Sequence, residues 1–372
     1  MQPLCYAPWT NLDVSVQGDL SPCCNFDGAT HNIRFNSVTE YYNSDMLAQV
    51  KQQLINNQWP SQCAKCYKTE QAGAQSKRQL DKWLFADAYS KYDINDQFLP
   101  LTTSIPLGNI CNLKCRSCSS GASSAWYSEQ QLIASDRQLH KPTKHHTTRN
   151  FHDLINSVLD NIIHIDFPGG EPFYTGQKEQ EMILSRIIKS GRAASVSLHY
   201  TTNGTILPRD CMWEYWKHFK NVDIQISIDG IYSHFEYTRY PAKWSTVYNN
   251  IKFYQSKLVE HNHQLSIAHL ASIFTIYYLP EFFKWCEQEE LPVPWVGRCN
   301  TPVYYSPGIV PAHSKQAVHD KIVGTGWEND VFANDTSIHL PKFKEITAQL
   351  DALRSQSFAK TFPELAVLLD MQ

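Results

Sequence analysis

No run of about eighteen apolar residues occurs anywhere in the sequence, which excludes a transmembrane helix. The amino-terminal stretch MQPLCYAPWT lacks a basic segment followed by an apolar one, so it does not read as a signal peptide, and a cytoplasmic protein is expected. Charge of one sign is missing too. The 33 Lys and Arg against 36 Asp and Glu leave a net −3, with no electrostatic reason to expect nucleic acid or a membrane surface as partner. No internal repeat is visible. At 372 residues the chain has room for one large domain and a smaller one, and 42% hydrophobic with 19% charged residues is ordinary for a globular protein.

Cysteine, by contrast, is plentiful. Without an export signal, eleven cysteines point to metal or catalysis more than to disulfides. Eight of them (Cys5, Cys23, Cys24, Cys63, Cys66, Cys111, Cys115 and Cys118) fall in the first third, and Cys211, Cys286 and Cys299 are scattered. Metal sites cluster in this way and core cysteines do not.

Residues 1–95 read as a small cysteine-rich module, with a short hairpin turning at Gln17-Gly18-Asp19 and an amphipathic helix over 44–56 stopped before Pro60. A second helix is expected over 73–89. From about residue 100, strands alternate with helices, which argues for βα units and a parallel sheet. The expected strands are 101–107, 162–167, 195–200, 222–228, 265–270 and 293–297. The expected helices are 154–160, 182–190, 244–258 and 281–290. Six such units, over residues 96–300, make an open or partial (β/α)6 barrel. Residues 301–372 begin as a Pro- and Tyr-rich loop and continue as a helical extension over 314–322 and 341–355 with a short tail helix. The polar stretch 140–146 reads as a mobile loop.

The central motif is Cys111-Asn-Leu-Lys-Cys115-Arg-Ser-Cys118, directly after the first expected barrel strand. Three thiolates on one loop can hold three corners of a cubane and leave the fourth iron open, which suits chemistry more than structure. After the second strand comes Pro168-Gly169-Gly170-Glu171-Pro172, and after the third Thr201-Thr202-Asn203-Gly204. The fourth ends in Ser227-Ile228-Asp229-Gly230, with Arg239 beyond. All lie at carboxy-terminal strand ends, where β/α barrels build their sites.

In this order the motifs resemble those of the radical S-adenosylmethionine (SAM) superfamily. The resemblance implies a SAM-binding [4Fe-4S] cluster on Cys111, Cys115 and Cys118, and cofactor contacts from Gly169, Gly170, Glu171, Thr202, Asn203, Ser227, Asp229 and Arg239. It also implies reductive cleavage of SAM to a 5′-deoxyadenosyl radical that abstracts hydrogen from a substrate. Many relatives carry an aromatic residue before the third cysteine. Ser117 stands there in this chain, so adenine contacts must come from elsewhere.

The earlier cysteines, Cys5, Gly18-x4-Cys23 and Cys63-Ala-Lys-Cys66, resemble the twitch half of a SPASM domain, transposed to the front of the barrel. The resemblance implies an auxiliary [4Fe-4S] cluster on Cys5, Cys23, Cys63 and Cys66. A zinc site on the same thiols is the alternative, and Cys24 could replace Cys23. With four cysteines the auxiliary cluster would pass electrons rather than bind substrate, and a flavodoxin or ferredoxin would supply them.

Other residues carry weaker signals. Cys299, near the end of the sixth strand, reads first as an inert core cysteine, with hydrogen donation to a substrate radical as the weaker alternative. Cys211 and Cys286 read as helix-packing residues, His269 as a core histidine, and His145 and His146 as solvated loop. Tyr304, Tyr305 and Trp295, and Glu236 and Tyr237 before Arg239, receive no role. No leader-binding winged-helix pattern is visible, which favours a small-molecule or amino-acid-type substrate. The alternatives are a peptide-modifying maturase and a non-catalytic metal-binding scaffold; damaged SAM motifs would favour the scaffold, and here they are intact.

Overall fold

The computed structural model describes residues 2–71, 75–94, 98–133, 135–144, 149–261, 263–333 and 335–372. They form two compact units. The first comprises Met1–Asn109, Thr143–Tyr200 and Arg209–Val222; the second comprises Ile110–Pro142, Thr201–Pro208 and Asp223–Gln372.

The expected hairpin is present in the first unit: β1 (Asn11–Val14) pairs antiparallel with β2 (Asp19–Ser21), and Gly18 makes the turn at φ +94°. A short β3 (His31–Asn32) joins β2. On its other edge β1 pairs in parallel with β4 (Thr102–Ser104), which pairs with β5 (His164–Phe167) and then β6 (Ser197–Thr202). Later in the chain β7 (Asn221–Ser227), β8 (Gln264–Ala271) and β9 (Trp295–Arg298) run parallel. Neither set closes into a ring, and β4 to β9 are the six strands expected of a partial barrel. The chain is a mixed α/β protein with an open parallel sheet and a helical extension at its carboxy end. In parallel sheets both faces are usually apolar, but these strands alternate. Leu12, Thr103, Ile165 and Leu198 are buried on one face, while Asp13, Ser104, Asp166 and His199 share one register row on the other.

Helix Asp45–Ile55 forms where the apolar spacing predicts it. Ser44 caps it by accepting from the Leu47 amide at 3.3 Å, and Leu47, Val50 and Leu54 are buried. The single helix expected over 73–89 is two, Lys77–Leu84 and Ala86–Ser90, because Phe85 leaves helical geometry at φ −110°, ψ 21°; residues 73 and 74 lie outside the described residues. Helix Lys77–Leu84 opens on a capping box between Ser76 and Gln79. Helices Ala64–Gln71, Asp210–Trp216 and Tyr232–Thr238 carry too little apolar periodicity to be read from sequence. The Pro- and Tyr-rich stretch after residue 301 folds into two short 3-10 turns, and helices Ala312–Ile322, Leu340–Arg354, Phe358–Thr361 and Pro363–Leu368 follow.

The loop expected to be mobile over 140–146 is pinned at Thr143, whose amide donates to Asn109 Oδ1 at 2.7 Å and whose carbonyl accepts from the Asn109 amide at 3.2 Å. His145 and His146 lie outside the described residues. Among the described residues no helix is long and apolar enough to cross a membrane.

Candidate metal centres

In the first unit, four thiols from three segments of the chain face one cavity. Cys5 precedes helix Ala7–Thr10, Cys23 follows β2, Cys63 ends a 3-10 turn and Cys66 lies in helix Ala64–Gln71. All four line a cavity of about 410 Å³, counting the part open to solvent. Cys24 is exposed and does not line it. The wall behind is apolar, with Trp9, Phe26, Val50 and Leu54 buried against Cys5, Cys23 and Cys63.

Burial pushes the Cys5 thiol up to about 12 and Cys63 up to about 11. Such thiols stay protonated unless a metal charge stabilises their thiolates. The cavity is braced by one buried ion pair. Glu70 meets Arg78 at 2.5 and 3.0 Å and accepts from Ser76 at 2.6 Å, and Arg78 also donates to the Leu4 carbonyl beside Cys5 at 3.1 Å. Helix Ala64–Gln71, which carries Cys66, is thereby fixed to helix Lys77–Leu84 and to the Cys5 segment. Four thiols, one buried and three half-buried, lining one cavity fit a cysteine-ligated cluster.

The Gly169-Gly170-Glu171 turn, also in the first unit, follows β5. Gly169 has φ +76°, and a Cβ there would strike Val16 and come within 2.9 Å of Pro106. Glu171 is buried and accepts from the Phe173 amide at 3.1 Å. Beneath the turn, Phe173, Tyr200 and Trp216 stack with centroids 5.3 Å apart along the series.

The second unit holds Cys111, Cys115 and Cys118 on one loop. The Lys114 amide donates to the Tyr240 carbonyl at 2.6 Å and the Arg116 amide to Thr238 at 2.7 Å. Trp126 Nε1 donates to the Cys115 carbonyl at 2.9 Å and Ser123 Oγ to Leu113 at 2.5 Å. Arg116, between two of the cysteines, is 1% exposed and lies 3.7 Å from the Tyr237 ring centroid. It pairs with Asp351 at 2.5 Å and donates to Gln356 at 3.0 Å, so the carboxy-terminal extension holds the loop. Arg137 donates to the carbonyls of Ser117 (3.2 Å) and Cys118. Burial pushes Cys115 up to about 12 and Cys118 up to about 11, against the pull of Arg239 on both.

Asn203, just after β6, donates to Asn112 Oδ1 at 2.9 Å and lies 3.8 Å from Cys111 Sγ; it accepts from Thr205 Oγ1 at 2.6 Å. Thr202 Oγ1 accepts from the Gly204 amide at 3.1 Å. Ser227 is half-buried at the end of β7. Asp229 is engaged by Arg239 at 2.8 Å and by the Leu270 amide at 3.0 Å. Arg239 keeps a buried Nε without a partner. An orphaned guanidinium nitrogen whose charge reaches Cys115 and Cys118 fits a cofactor that brings a carboxylate to them.

Cys299 is buried and desolvation raises it to about 11. Its amide donates to Ala271 at 2.8 Å. His269 meets expectation only in part. Its Nδ1 lies 2.8 Å from the Ile228 carbonyl, so that nitrogen carries the proton, and the ring stacks on Phe282 at 4.3 Å. Burial lowers its pKa, and Nε2 is buried without a partner. Cys286 is buried in its helix as expected, whereas Cys211 is only half-buried and donates to Glu181 at 3.4 Å. Tyr304 and Tyr305 are buried, Trp295 is exposed, and Tyr237 donates to Asp351 at 2.8 Å. Glu236 accepts from the Trp244 amide at 3.0 Å. Among the described residues no three His, Cys, Asp or Glu side chains converge closely enough for a single metal ion.

The sequence profile of the SPASM family, described as an iron-sulfur cluster-binding domain, matches residues 5–67. No curated protein matches the chain. Among solved structures, native anSMEcpe with bound AdoMet and Cp18Cys peptide is 14% identical over 69% of this chain and 62% of its own, with a TM-score of 0.42. Native anSMEcpe with bound AdoMet is 17% identical over 69% and 63%, at 0.42. SuiB of Streptococcus suis is 13% identical over 75% and 59%, at 0.36. The chain thus spans less than two thirds of these proteins' length. The match to the SPASM family thus covers residues 5–67, which stand ahead of an open parallel α/β region. Cys5, Cys23, Cys63 and Cys66 all lie within the matched residues.

Proposed function

We propose that this chain is a radical SAM enzyme with an auxiliary iron-sulfur cluster, acting on a small-molecule or amino-acid-type substrate. The observation that carries the reading is the loop bearing Cys111, Cys115 and Cys118, three half-buried thiols accompanied by Arg239, whose buried Nε has no partner. Those three thiols would hold the catalytic cluster, and Cys5, Cys23, Cys63 and Cys66 the auxiliary one. The chemistry such a cluster supplies with S-adenosylmethionine is one-electron cleavage of a carbon–sulfur bond and hydrogen-atom abstraction.

The protein's part is to orient and to exclude water. Arg239, held by Asp229, offers Nε to a carboxylate. Asn203 and Thr205 fix Asn112 beside Cys111. Gly169 and Gly170 present bare backbone, which allows close approach of an amino group, and Glu171 holds their turn through the Phe173 amide. Thr202 and Ser227 are assigned to the cofactor's polar groups. In this reading residues 1–95 are the auxiliary module, 96–300 the catalytic barrel and 301–372 its extension, and a flavodoxin or ferredoxin is the reductant.

The test is anaerobic reconstitution followed by dithionite and S-adenosylmethionine, with chromatography of the products. Methionine and 5′-deoxyadenosine in equal amounts are expected. No cleavage by protein holding its full iron would overturn the reading.

A further inference from the structure

Beside the cysteine loop, within the second unit, two cations share one carboxylate. Glu129 accepts from Lys114 Nζ at 2.7 Å, and from Arg354 Nη2 at 2.8 Å and Nε at 3.0 Å. The other two buried arginines of this region each have a carboxylate of their own: Asp351 for Arg116 and Asp229 for Arg239. Arg354 is 5% exposed, so its surplus charge is withheld from water. Its guanidinium lies 4.7 Å from the centroid of the Trp126 ring and 4.9 Å from that of Tyr240, and its Nη1 is buried without a partner. Trp126 holds the Cys115 carbonyl, and the Tyr240 carbonyl holds the Lys114 amide.

A buried cation without a full counter-charge is costly unless negative charge is supplied nearby. Three thiolates around an iron-sulfur core supply it, and more after one-electron reduction. We propose that Arg354, delivered by the carboxy-terminal helix Leu340–Arg354, is a positioning residue for the cluster at Cys111, Cys115 and Cys118. Its ring contacts hold the loop, and its surplus charge favours the reduced cluster. This rests on the radical SAM reading.

The experiment is a potentiometric titration of the reconstituted full chain, followed by electron paramagnetic resonance. The signal that changes on adding S-adenosylmethionine identifies the loop cluster, and the auxiliary signal serves as internal reference. In Arg354→Met the loop cluster shifts to a lower midpoint potential. Arg354→Lys, which keeps the charge, recovers most of the shift, and Glu129→Gln, which removes the opposing charge, moves it upward. The auxiliary potential stays fixed throughout. An unchanged potential in Arg354→Met at full iron, or Arg354→Lys as low as Arg354→Met, overturns the proposal. If Arg354→Met cannot retain the cluster, an unmoved potential in Glu129→Gln overturns it. A wild-type chain with only the auxiliary cluster overturns the underlying reading, and this inference with it.

Discussion

The two cysteine sites are built in opposite ways. In the amino-terminal module four thiols come from three separate pieces of chain, and Cys5, Cys23 and Cys63 pack against a small core of Trp9, Phe26, Val50 and Leu54. In the second unit three thiols lie within eight residues on a loop without regular structure, held by hydrogen bonds and by arginines. The first site depends on tertiary folding to bring its ligands together. The second has its ligands adjacent from the start and depends on folding only to fix their direction. A site assembled from distant segments suits a closed, fully ligated centre, and a contiguous loop leaves one side open for a reacting partner.

Alanine at Cys111, Cys115 and Cys118 gives the sharpest break in this comparison. Reconstituted iron is expected to fall from about eight to about four per chain, at four per cubane, and SAM cleavage to vanish. Cys63→Ala with Cys66→Ala should also halve the iron while leaving dithionite-driven SAM cleavage measurable. Iron retained at eight in either variant would assign the clusters to other ligands.

Next in size is Glu70→Gln. Breaking a buried pair costs about 3–5 kcal/mol, which a denaturant titration would read as a lower midpoint. Burial opposes ionisation of Glu70, yet Arg78 and Ser76 hold its pKa below the usual glutamate value. Its stabilisation is therefore present at neutral pH and lost as pH falls through the depressed value, and Glu70→Gln should flatten that acid limb of the stability curve. Gly169→Ala, with a Cβ forced against Val16 and Pro106 at positive φ, should cost about 1–3 kcal/mol and weaken SAM binding measured by equilibrium dialysis. Smallest is Ser37→Ala, which removes a surface capping box, at about 1 kcal/mol and with no change in iron.

The cysteines and strands were legible because their signals are local. Cys-x3-Cys-x2-Cys is a spacing, and Ile165, Phe167, Leu198 and Tyr200 alternate with polar neighbours in a pattern visible without partners. The groups that steady the central loop were not legible. Arg116 meets Asp351 across 235 residues and Arg354 meets Glu129 across 225, and no periodicity links such pairs. The break at Phe85 was hidden as well, since the helical pattern on either side runs through it. The parallel pairing of β1 with β4 could not be inferred, because a strand's sequence does not name its neighbour.

That pairing bears on how the protein is made. β1 closes its hairpin with β2 within a few residues of emerging from the ribosome, but its other edge waits for β4, roughly ninety residues later. At translation rates of about 5–20 residues per second, the wait lasts roughly 5–20 s. During that interval the hairpin shows an open strand edge of the kind that recruits unwanted partners, while nearby thiols await their metal. Cluster delivery and chaperone protection of the nascent chain would thus meet in the same short window of synthesis.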